Sequence, residues 1–173
     1  MNKCVFLDRD GVINLDDTDY TYTLEKFVLI EGVVESLKKL KEKGFYLVII
    51  TNQAGISKGI YSSKHVFDLH DVLQKECGNL IDELYYSPYH PSFSESIARK
   101  PDSLLFERAI AKFNISPEKS WMVGDRERDL VAAAKVGIPN LVMVERTPEP
   151  NSLANFQAKN LWEATHKYIL KNS

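Results

Sequence analysis

The stretch CVFLDRDGVIN, residues 4–14, decides how the rest of the chain is interpreted. Its first four residues are all apolar, which is typical of a strand buried on both faces in a parallel sheet. Asp8 and Asp10 follow directly, and Gly11 allows the chain to turn sharply after them. In an open α/β sheet, ligands bind outside the carboxyl ends of the strands, where these carboxylates would lie. Two like charges held so close together favour a bound cation.

Two simpler interpretations of this stretch have to be weighed against a catalytic one. Asp-Gly after an apolar run is an ordinary turn signal, and alone it is more often a turn than an active site. A calcium-binding loop does not fit, because Gly11 comes too early for the sixth loop position and no Glu follows at the twelfth. The catalytic interpretation therefore depends on whether later strands end in complementary chemistry.

The composition is that of a soluble globular chain. Of its 173 residues, 44% are hydrophobic and 27% are charged, and the length favours one domain over residues 1–173. A formal net charge of −2 offers no basic surface for nucleic acid or an anionic membrane. Cys4 and Cys77 are too few for a disulfide framework or a Cys-rich metal site. We expect no leader peptide and no membrane span, hence a cytoplasmic protein; the oligomeric state is not indicated.

The rest of the chain alternates between strand and helix patterns. Apolar runs predict five strands, at residues 4–7, 45–50, 81–87, 121–124 and 140–144. Apolar residues at helical spacing predict five helices, at about residues 32–43, 63–77, 103–113, 130–136 and 161–170. Loops are predicted at residues 15–30, 88–99 and 145–160. This alternation favours a Rossmann-like, doubly wound parallel sheet of the α/β class.

Polar residues at the predicted strand ends, together with Lys100 at the start of the helix after the third strand, fit the separate tasks of phosphoryl transfer. Asp8 can attack phosphorus and form an acyl-phosphate. Asp10 can protonate the leaving oxygen and then deprotonate the attacking water. Thr51 offers a hydroxyl and a backbone N–H to phosphate oxygens, and Lys100 supplies a fixed positive charge. Asp125, together with Asp8 and the backbone carbonyl of Asp10, would hold Mg²⁺.

Each of these residues also has a simpler explanation when it is taken alone. Thr51-Asn52 is compatible with a plain strand-to-turn transition, and Lys100 with a solvated lysine. Asp129 is either the N-cap of the helix predicted at Leu130 or a brace for Lys100, and the sequence leaves both open. The joint occurrence of the whole set is far rarer by chance than any one member, which favours an active site.

Four motifs in this order resemble those of the haloacid dehalogenase superfamily. They are DRDGVIN (8–14), ITNQAGI (50–56), RKP (99–101) and MVGDRERDL (122–130). Within the superfamily they are most similar to the small capless phosphatases that act on heptose bisphosphate or histidinol phosphate. The resemblance extends over about residues 3–144, and the segment from Gly11 to Gly32 is too short for a large cap domain.

The resemblance implies roles for individual residues of this chain. Asp8 would be the nucleophile and Asp10 the acid/base, with Thr51 and Lys100 stabilising the phosphoryl group. The magnesium ligands would be Asp8, Asp10 and Asp125. Arg99 matches an arginine implicated in substrate recognition. The substrate-binding positions as a whole would be Asp16, Asp17, Thr18, Asp19, Asn52, Gln53, Ala54, Arg99 and Arg126.

The chain differs from the small capless phosphatases that it resembles at a loop that binds a structural zinc ion in many of them. At the places of the four zinc ligands it has Ser87, Tyr89, Ser96 and Ala98. A structural zinc site needs four ligands, so we expect no structural zinc. The loop would instead be stiffened by Pro88 and Pro91 and held down by three packed side chains, Tyr89, Phe93 and Ile97.

The sequence thus predicts a Mg²⁺-dependent phosphomonoester hydrolase acting through an aspartyl-phosphate. Arg99 beside Lys100 would suit a second anionic group on the substrate. This favours a heptose 1,7-bisphosphate, hydrolysed at its 7-phosphate, over histidinol phosphate as the substrate. A phospho-accepting receiver domain is the non-enzyme alternative, but its acceptor Asp ends the third strand, which here ends at Ser87. A nucleic-acid 3′-phosphatase would need a basic groove, and no Lys/Arg stripe flanks the motifs. The expected partner is a small phosphorylated metabolite.

Overall fold

Six strands and five α-helices make up the fold of the described residues, 1–16 and 19–172 of this computed structural model. In chain order they are β1 (Cys4–Leu7), α1 (Val33–Glu42), β2 (Tyr46–Asn52), α2 (Ser63–Cys77), β3 (Glu83–Ser87), α3 (Leu104–Phe113), β4 (Trp121–Gly124), α4 (Glu127–Lys135), β5 (Asn140–Val144), β6 (Phe156–Ala158) and α5 (Leu161–Lys167). Short 3-10 turns lie at Pro117–Lys119 and Ile169–Lys171.

The strands form one parallel sheet in the order β3-β2-β1-β4-β5-β6. β1 lies at its centre, with Phe6 opposite Val48 of β2 and Met122 of β4. The chain order reverses on the two sides of β1, so the sheet has its topological switch point between β1 and β4. Ligands of such sheets bind at this point, outside the carboxyl ends of the strands.

Helices cover both faces of the sheet because β1 is apolar on both sides. Val5 and Leu7 pack with apolar residues of α1, α2 and α5 on one face. Cys4 and Phe6 pack with residues of α3 and α4 on the other. All four residues of β1 are fully buried, as the uninterrupted apolar run predicts. The predicted doubly wound parallel sheet is confirmed.

The segment between β1 and α1 forms no cap domain. Its described residues, 8–16 and 19–32, make turns and isolated bridges such as the one between Asn14 and Leu29. Within the part of this segment that the structure describes, the chain therefore forms loops and no additional folded unit. Among the described residues, no helix has both the length and the apolar character that a membrane span requires.

Several element boundaries differ from the predicted ones. α4 begins at Glu127 rather than Leu130, because its first turn is polar and carries no apolar signal. Asp129 is consequently the third residue of the helix and not its N-cap. The predicted loop at 145–160 contains the short strand β6, which is held in the sheet by pairing with β5. The predicted terminal helix ends at Lys167 and continues only as a 3-10 turn.

Candidate active site

A polar cleft of about 440 Å³ opens at the carboxyl ends of β1, β2 and β4. The sheet delivers Asp8 one residue after β1, Thr51 within the end of β2, and Asp125 one residue after β4. The residues that line the cleft are Asp8, Asp10, Asp16, Asp19, Tyr20, Thr21, Thr51, Asn52, Gln53, Lys58, Asp125, Arg126 and Arg128.

A buried ammonium group joins two carboxylates beneath the cleft. Lys100 Nζ lies 2.9 Å from Asp8 Oδ1 and 2.7 Å from Asp129 Oδ1, and it donates to the Ile50 carbonyl at 2.6 Å. Burial opposes the charge of Lys100, but the carboxylates of Asp129 and Asp8 outweigh it and raise the pKa of Lys100. Lys100 is therefore a fixed cation beside the carboxylate of Asp8. Of the two roles considered for Asp129, the structure shows the brace for Lys100; Asp129 is not the N-cap residue, which is Arg126, although Asp129 Oδ2 accepts the N–H of Arg126.

Asp125 belongs to the same buried acidic cluster. One carboxylate oxygen from each of Asp8, Asp125 and Asp129 lies within 4.8 Å of the others. Burial raises the pKa of Asp125 to about 7, and the negative charges of Asp8 and Asp129 add to this rise. Lys100 is the buried cation of this cluster, and the more exposed guanidinium groups of Arg126 and Arg146 approach Asp125 from the cleft side. The closeness of three carboxylates favours a bound divalent cation.

The space beside Asp125 also fits a metal ion. Gly11 has a φ of +82°, and a Cβ there would come within 2.8 Å of Asp125 Cγ. A glycine thus keeps the approach to this carboxylate open. Asp129 is engaged through both oxygens, by Lys100 and by the Arg126 N–H, whereas the hydrogen bonds and ion pairs of Asp8 and Asp125 each use a single oxygen. Asp8 and Asp125 are therefore the carboxylates better placed to hold Mg²⁺. The predicted ligand role of the Asp10 carbonyl stays a prediction.

Asp10 is held by hydrogen bonds on both oxygens of its carboxylate. Arg9 donates to Oδ1 and Oδ2 from Nη2, at 2.9 and 3.0 Å. Asn14 donates to Oδ1 at 3.0 Å, and Gln53 donates to Oδ2 at 3.1 Å. The guanidinium of Arg9 is itself anchored by the Thr21 carbonyl at 2.7 Å. A residue proposed to move protons is therefore oriented from three sides.

The residues after β2 divide into two groups. Thr51 and Gln53 are buried at the floor of the cleft, and Gln53 Nε2 donates to the Thr51 hydroxyl at 3.0 Å. The side-chain amide of Asn52 makes two hydrogen bonds to the backbone of Lys100, accepting from its N–H and donating to its carbonyl, both at 3.1 Å. Asn52 thus fixes the segment that carries Lys100. Ala54 is buried and is not among the lining residues.

The other predicted substrate-binding residues are placed unevenly. Asp16, Asp19 and Arg126 line the cleft, and Arg126 bridges Asp16 and Asp125 at 3.0 Å each. The guanidinium of Arg99 instead donates to the Tyr89 carbonyl at 2.9 Å and is not among the lining residues. Predictions for Asp17 and Thr18 lie outside the described residues.

The predicted packing of the 88–99 loop is wrong. Phe93 and Ile97 are 65% and 68% exposed, and Tyr89 is 41% exposed. The loop is held by its own polar contacts, since His90 accepts backbone N–H groups and Arg99 binds the Tyr89 carbonyl. These short-range hydrogen bonds leave the apolar side chains pointing into solvent.

Sequence reasoning did not assign a role to several residues that shape the site. Arg9 stands between Asp8 and Asp10 in the first motif, and this position was the only sign in the sequence that it contacts them. Lys58 and Arg128 line the cleft, and Arg128 stands one residue before Asp129 in the fourth motif. Tyr61 and Arg146 approach the site from loops whose sequences carry no motif; Arg146 Nε lies 3.5 Å from Asp125 Oδ2.

A parallel sheet with this switch point and this cluster of aspartates and lysine defines a class of hydrolases. Residues 3–137 match the family model of haloacid dehalogenase-like hydrolases, and the chain belongs to this family. The resemblance drawn from the four motifs is thereby confirmed.

Its relatives point to one branch of the family. The chain is 39% identical over 151 residues to the D-glycero-beta-D-manno-heptose-1,7-bisphosphate 7-phosphatase of Haemophilus ducreyi, covering 82% of each chain. It is 36% identical over 166 residues to the enzyme of the same name from Helicobacter pylori strain J99, covering 94% of each. In fold it is similar to the crystal structure of D,D-heptose 1,7-bisphosphate phosphatase from B. bronchiseptica complexed with magnesium and phosphate. That match has a TM-score of 0.87 at 21% identity and covers 100% of both chains.

Proposed function

We propose that this chain is a Mg²⁺-dependent phosphatase that removes the 7-phosphate of a heptose 1,7-bisphosphate through an aspartyl-phosphate on Asp8. The observation that carries the proposal is the contact of Lys100 Nζ with Asp8 Oδ1 at 2.9 Å, beside Asp125 and at the floor of a polar cleft. The relatives at 35–39% identity carry this activity in their names. The finer substrate assignment rests on them and on the charge of the cleft.

In the first half of the reaction, the carboxylate of Asp8 forms a bond to phosphorus while the bond to the leaving oxygen breaks. Lys100 stabilises negative charge on the phosphoryl oxygens, and the Thr51 hydroxyl offers them a hydrogen bond. Asp10 gives a proton to the leaving oxygen, so the sugar departs as a neutral alcohol. Bound at Asp8 and Asp125, Mg²⁺ would offset the repulsion between the incoming phosphate and the buried carboxylates.

In the second half, Asp10, now ionised, takes a proton from water. The water oxygen bonds to phosphorus, the acyl-phosphate bond breaks, and the carboxylate of Asp8 is regenerated with inorganic phosphate. The hydrogen bonds from Arg9, Asn14 and Gln53 keep Asp10 in place for both proton transfers. Asp10 thus serves first as acid and then as base while keeping the same hydrogen-bond partners.

A second anionic group on the substrate is supported by the cations of the cleft. Lys58, Arg126 and Arg128 all line it. Histidinol phosphate carries an ammonium group instead, for which Asp16 and Asp19 of the same cleft would be partners, so the preference for a bisphosphate rests mainly on the relatives. We also propose that the enzyme is cytoplasmic. Its two buried cysteines, Cys4 and Cys77, are both free thiols, which supports this location.

The direct test is hydrolysis of heptose 1,7-bisphosphate, followed by ³¹P NMR with Mg²⁺ or with EDTA. We expect catalytic loss of the 7-phosphate signal, retention of the 1-phosphate signal, and no turnover in EDTA. Histidinol phosphate and a 3′-phosphorylated oligonucleotide serve as competing substrates. Preference for either would overturn the substrate assignment, and a stable phosphoprotein formed once per chain would favour a receiver-like role.

A further inference from the structure

The side-chain amide of Gln53 is fixed in one orientation by three partners. Its Nε2 donates to Asp10 Oδ2 at 3.1 Å and to the Thr51 hydroxyl at 3.0 Å. Its Oε1 accepts the hydroxyl of Tyr61 at 2.6 Å. Gln53 is 2% exposed, so these are contacts inside the protein rather than with solvent. Gln53 is therefore a bridge between Tyr61 and the proposed acid/base.

The carboxylate of Asp10 selects the Nε2 end of the amide, and the hydroxyl of Tyr61 holds the opposite end in place. A flipped amide would set its carbonyl oxygen against the carboxylate, so that two acceptors would meet without a proton between them. Burial raises the pKa of Tyr61, which keeps the phenol protonated and able to donate to Oε1. The Tyr61 hydroxyl thereby fixes the position of the amide that Asp10 has oriented.

The ring of Tyr61 is held in place from two directions. A Cβ at position 55 would lie 2.2 Å from its Cε1, so Gly55 provides the space that the ring occupies. Tyr22 stacks on the ring, with centroids 5.0 Å apart and planes 10° apart, and Tyr20 meets it edge-on at 5.8 Å. Tyr20 also lines the cleft. The position of the Tyr61 hydroxyl is thus set by packing before it meets Gln53.

We propose that Tyr61 is a positioning residue that orients the carboxylate of Asp10 for proton transfer by locking the amide of Gln53. The inference rests on the proposed function, because it concerns the residue that protonates the leaving oxygen. It predicts that the Tyr61 hydroxyl matters in proportion to how much help the leaving group needs. An alkoxide needs a proton as it departs, whereas p-nitrophenolate leaves readily without one.

The test compares kcat/KM of wild type and Tyr61→Phe across phosphomonoesters with leaving groups of different basicity. We expect Tyr61→Phe to lower kcat/KM on the order of tenfold for an alkyl or sugar phosphate, and no more than about twofold for p-nitrophenyl phosphate. Asp10→Asn should show the same dependence with a larger amplitude. Tyr46→Phe removes a hydroxyl from a ring that packs on Phe113 at the opposite end of β2, and it is the matched control, for which we expect no change.

A double-mutant cycle separates positioning from plain structural support. If the effect passes through Gln53, Tyr61→Phe should add no further leaving-group dependence to Gln53→Leu. An equal loss for all leaving groups, or additive effects in the double variant, would overturn the inference. Should Tyr61→Phe not fold, Gln53→Leu alone must show the steeper dependence, and its absence would be equally decisive. A wild-type protein that hydrolyses none of the esters would instead overturn the proposed function.

Discussion

Lys100 and Asp8 are already in contact, with Nζ and Oδ1 2.9 Å apart, although they come from segments more than ninety residues apart in the chain. Asp129 lies against the same ammonium at 2.7 Å. The proposed nucleophile therefore sits in a cluster whose charges depend on one another, and changes in it should affect activity and stability differently.

Asp8→Asn should abolish phosphatase activity, with a loss of at least about 1,000-fold in kcat, because an amide cannot form the acyl-phosphate. The metal-free fold should not suffer. The substitution removes one of three mutually repelling carboxylates, and Lys100 keeps Asp129 as a partner. We expect a Tm in EDTA equal to or above that of the wild type. Substantial activity in this variant would remove Asp8 from its role.

Asp129→Ala should lower the free energy of unfolding by about 2–4 kcal/mol, since it leaves a buried ammonium with one partner fewer. The substitution also removes the carboxylate that accepts the Arg126 N–H at 3.0 Å and so caps α4. Urea unfolding measures the loss. Asp68→Ala is the control, because its ion pair with Lys64 is exposed, and it should change stability by no more than about 0.5 kcal/mol.

Mg²⁺ affinity should depend on pH through Asp125, whose pKa is raised to about 7 by burial and by its acidic neighbours. The metal binds the ionised carboxylate, so the dissociation constant should rise by about tenfold per pH unit below pH 7. Calorimetry in buffers of different ionisation enthalpy should detect the release of close to one proton per Mg²⁺ bound at pH 6 and almost none at pH 8. A Mg²⁺ dissociation constant that does not change with pH would contradict the assignment of Asp125 as a metal ligand.

The same pKa predicts the stability of the metal-free protein. A carboxyl group whose pKa is higher in the folded than in the unfolded state binds a proton on folding. Its contribution therefore makes the free energy of unfolding decrease as pH rises from about 4 to about 7. Chemical unfolding in EDTA across this range checks the sign, and Asp125→Asn should remove most of the trend.

Arg128→Met should raise KM for a sugar bisphosphate by about tenfold or more and leave a sugar monophosphate nearly unaffected. Arg128 lines the cleft, and the repulsion between it and Arg99 adds to the burial that lowers the pKa of Arg99. Arg99 is close enough to Arg128 to be influenced by its charge, although its guanidinium donates to the Tyr89 carbonyl, and we expect Arg99→Ala to show the same selectivity. Equal changes for both substrates would mean that these arginines serve the transferred phosphate.

Elemental analysis should find well under one zinc ion per chain. The loop of residues 88–99 is held by backbone hydrogen bonds to His90 and by the contact of Arg99 with the Tyr89 carbonyl. A stoichiometric zinc ion, removable only with loss of structure, would show that this loop is stabilised in another way.

The parts of the fold with strong local signals could be predicted from the sequence. Strand β5 and helix α2 have the predicted bounds, because an apolar run and a Ser62-to-Gly78 pair of caps mark them. Strand β6 carried no comparable signal, since three residues gain their strand geometry only by pairing with β5. Propensity says little about so short an element.

The places of Asp8 and Asp125 were predictable because each directly follows an apolar strand, and Lys100, in the loop between β3 and α3, was predicted from its motif. The candidate site was not predictable where side chains act through others. The bridge from Tyr61 through Gln53 to Asp10 spans three segments and depends on which end of an amide faces which partner. Such contacts follow from packing across the sheet and leave no periodicity in the sequence.

The central position of β1 has a consequence for synthesis of the protein. The ribosome makes Asp8 at the start of the chain, but β4, which flanks β1 and precedes Asp125, follows more than a hundred residues later. A nascent chain that ends before β4 contains the proposed nucleophile and Lys100 but neither Asp125 nor Asp129. We therefore expect hydrolysis to begin only late in translation, and the product of a premature stop to be inactive.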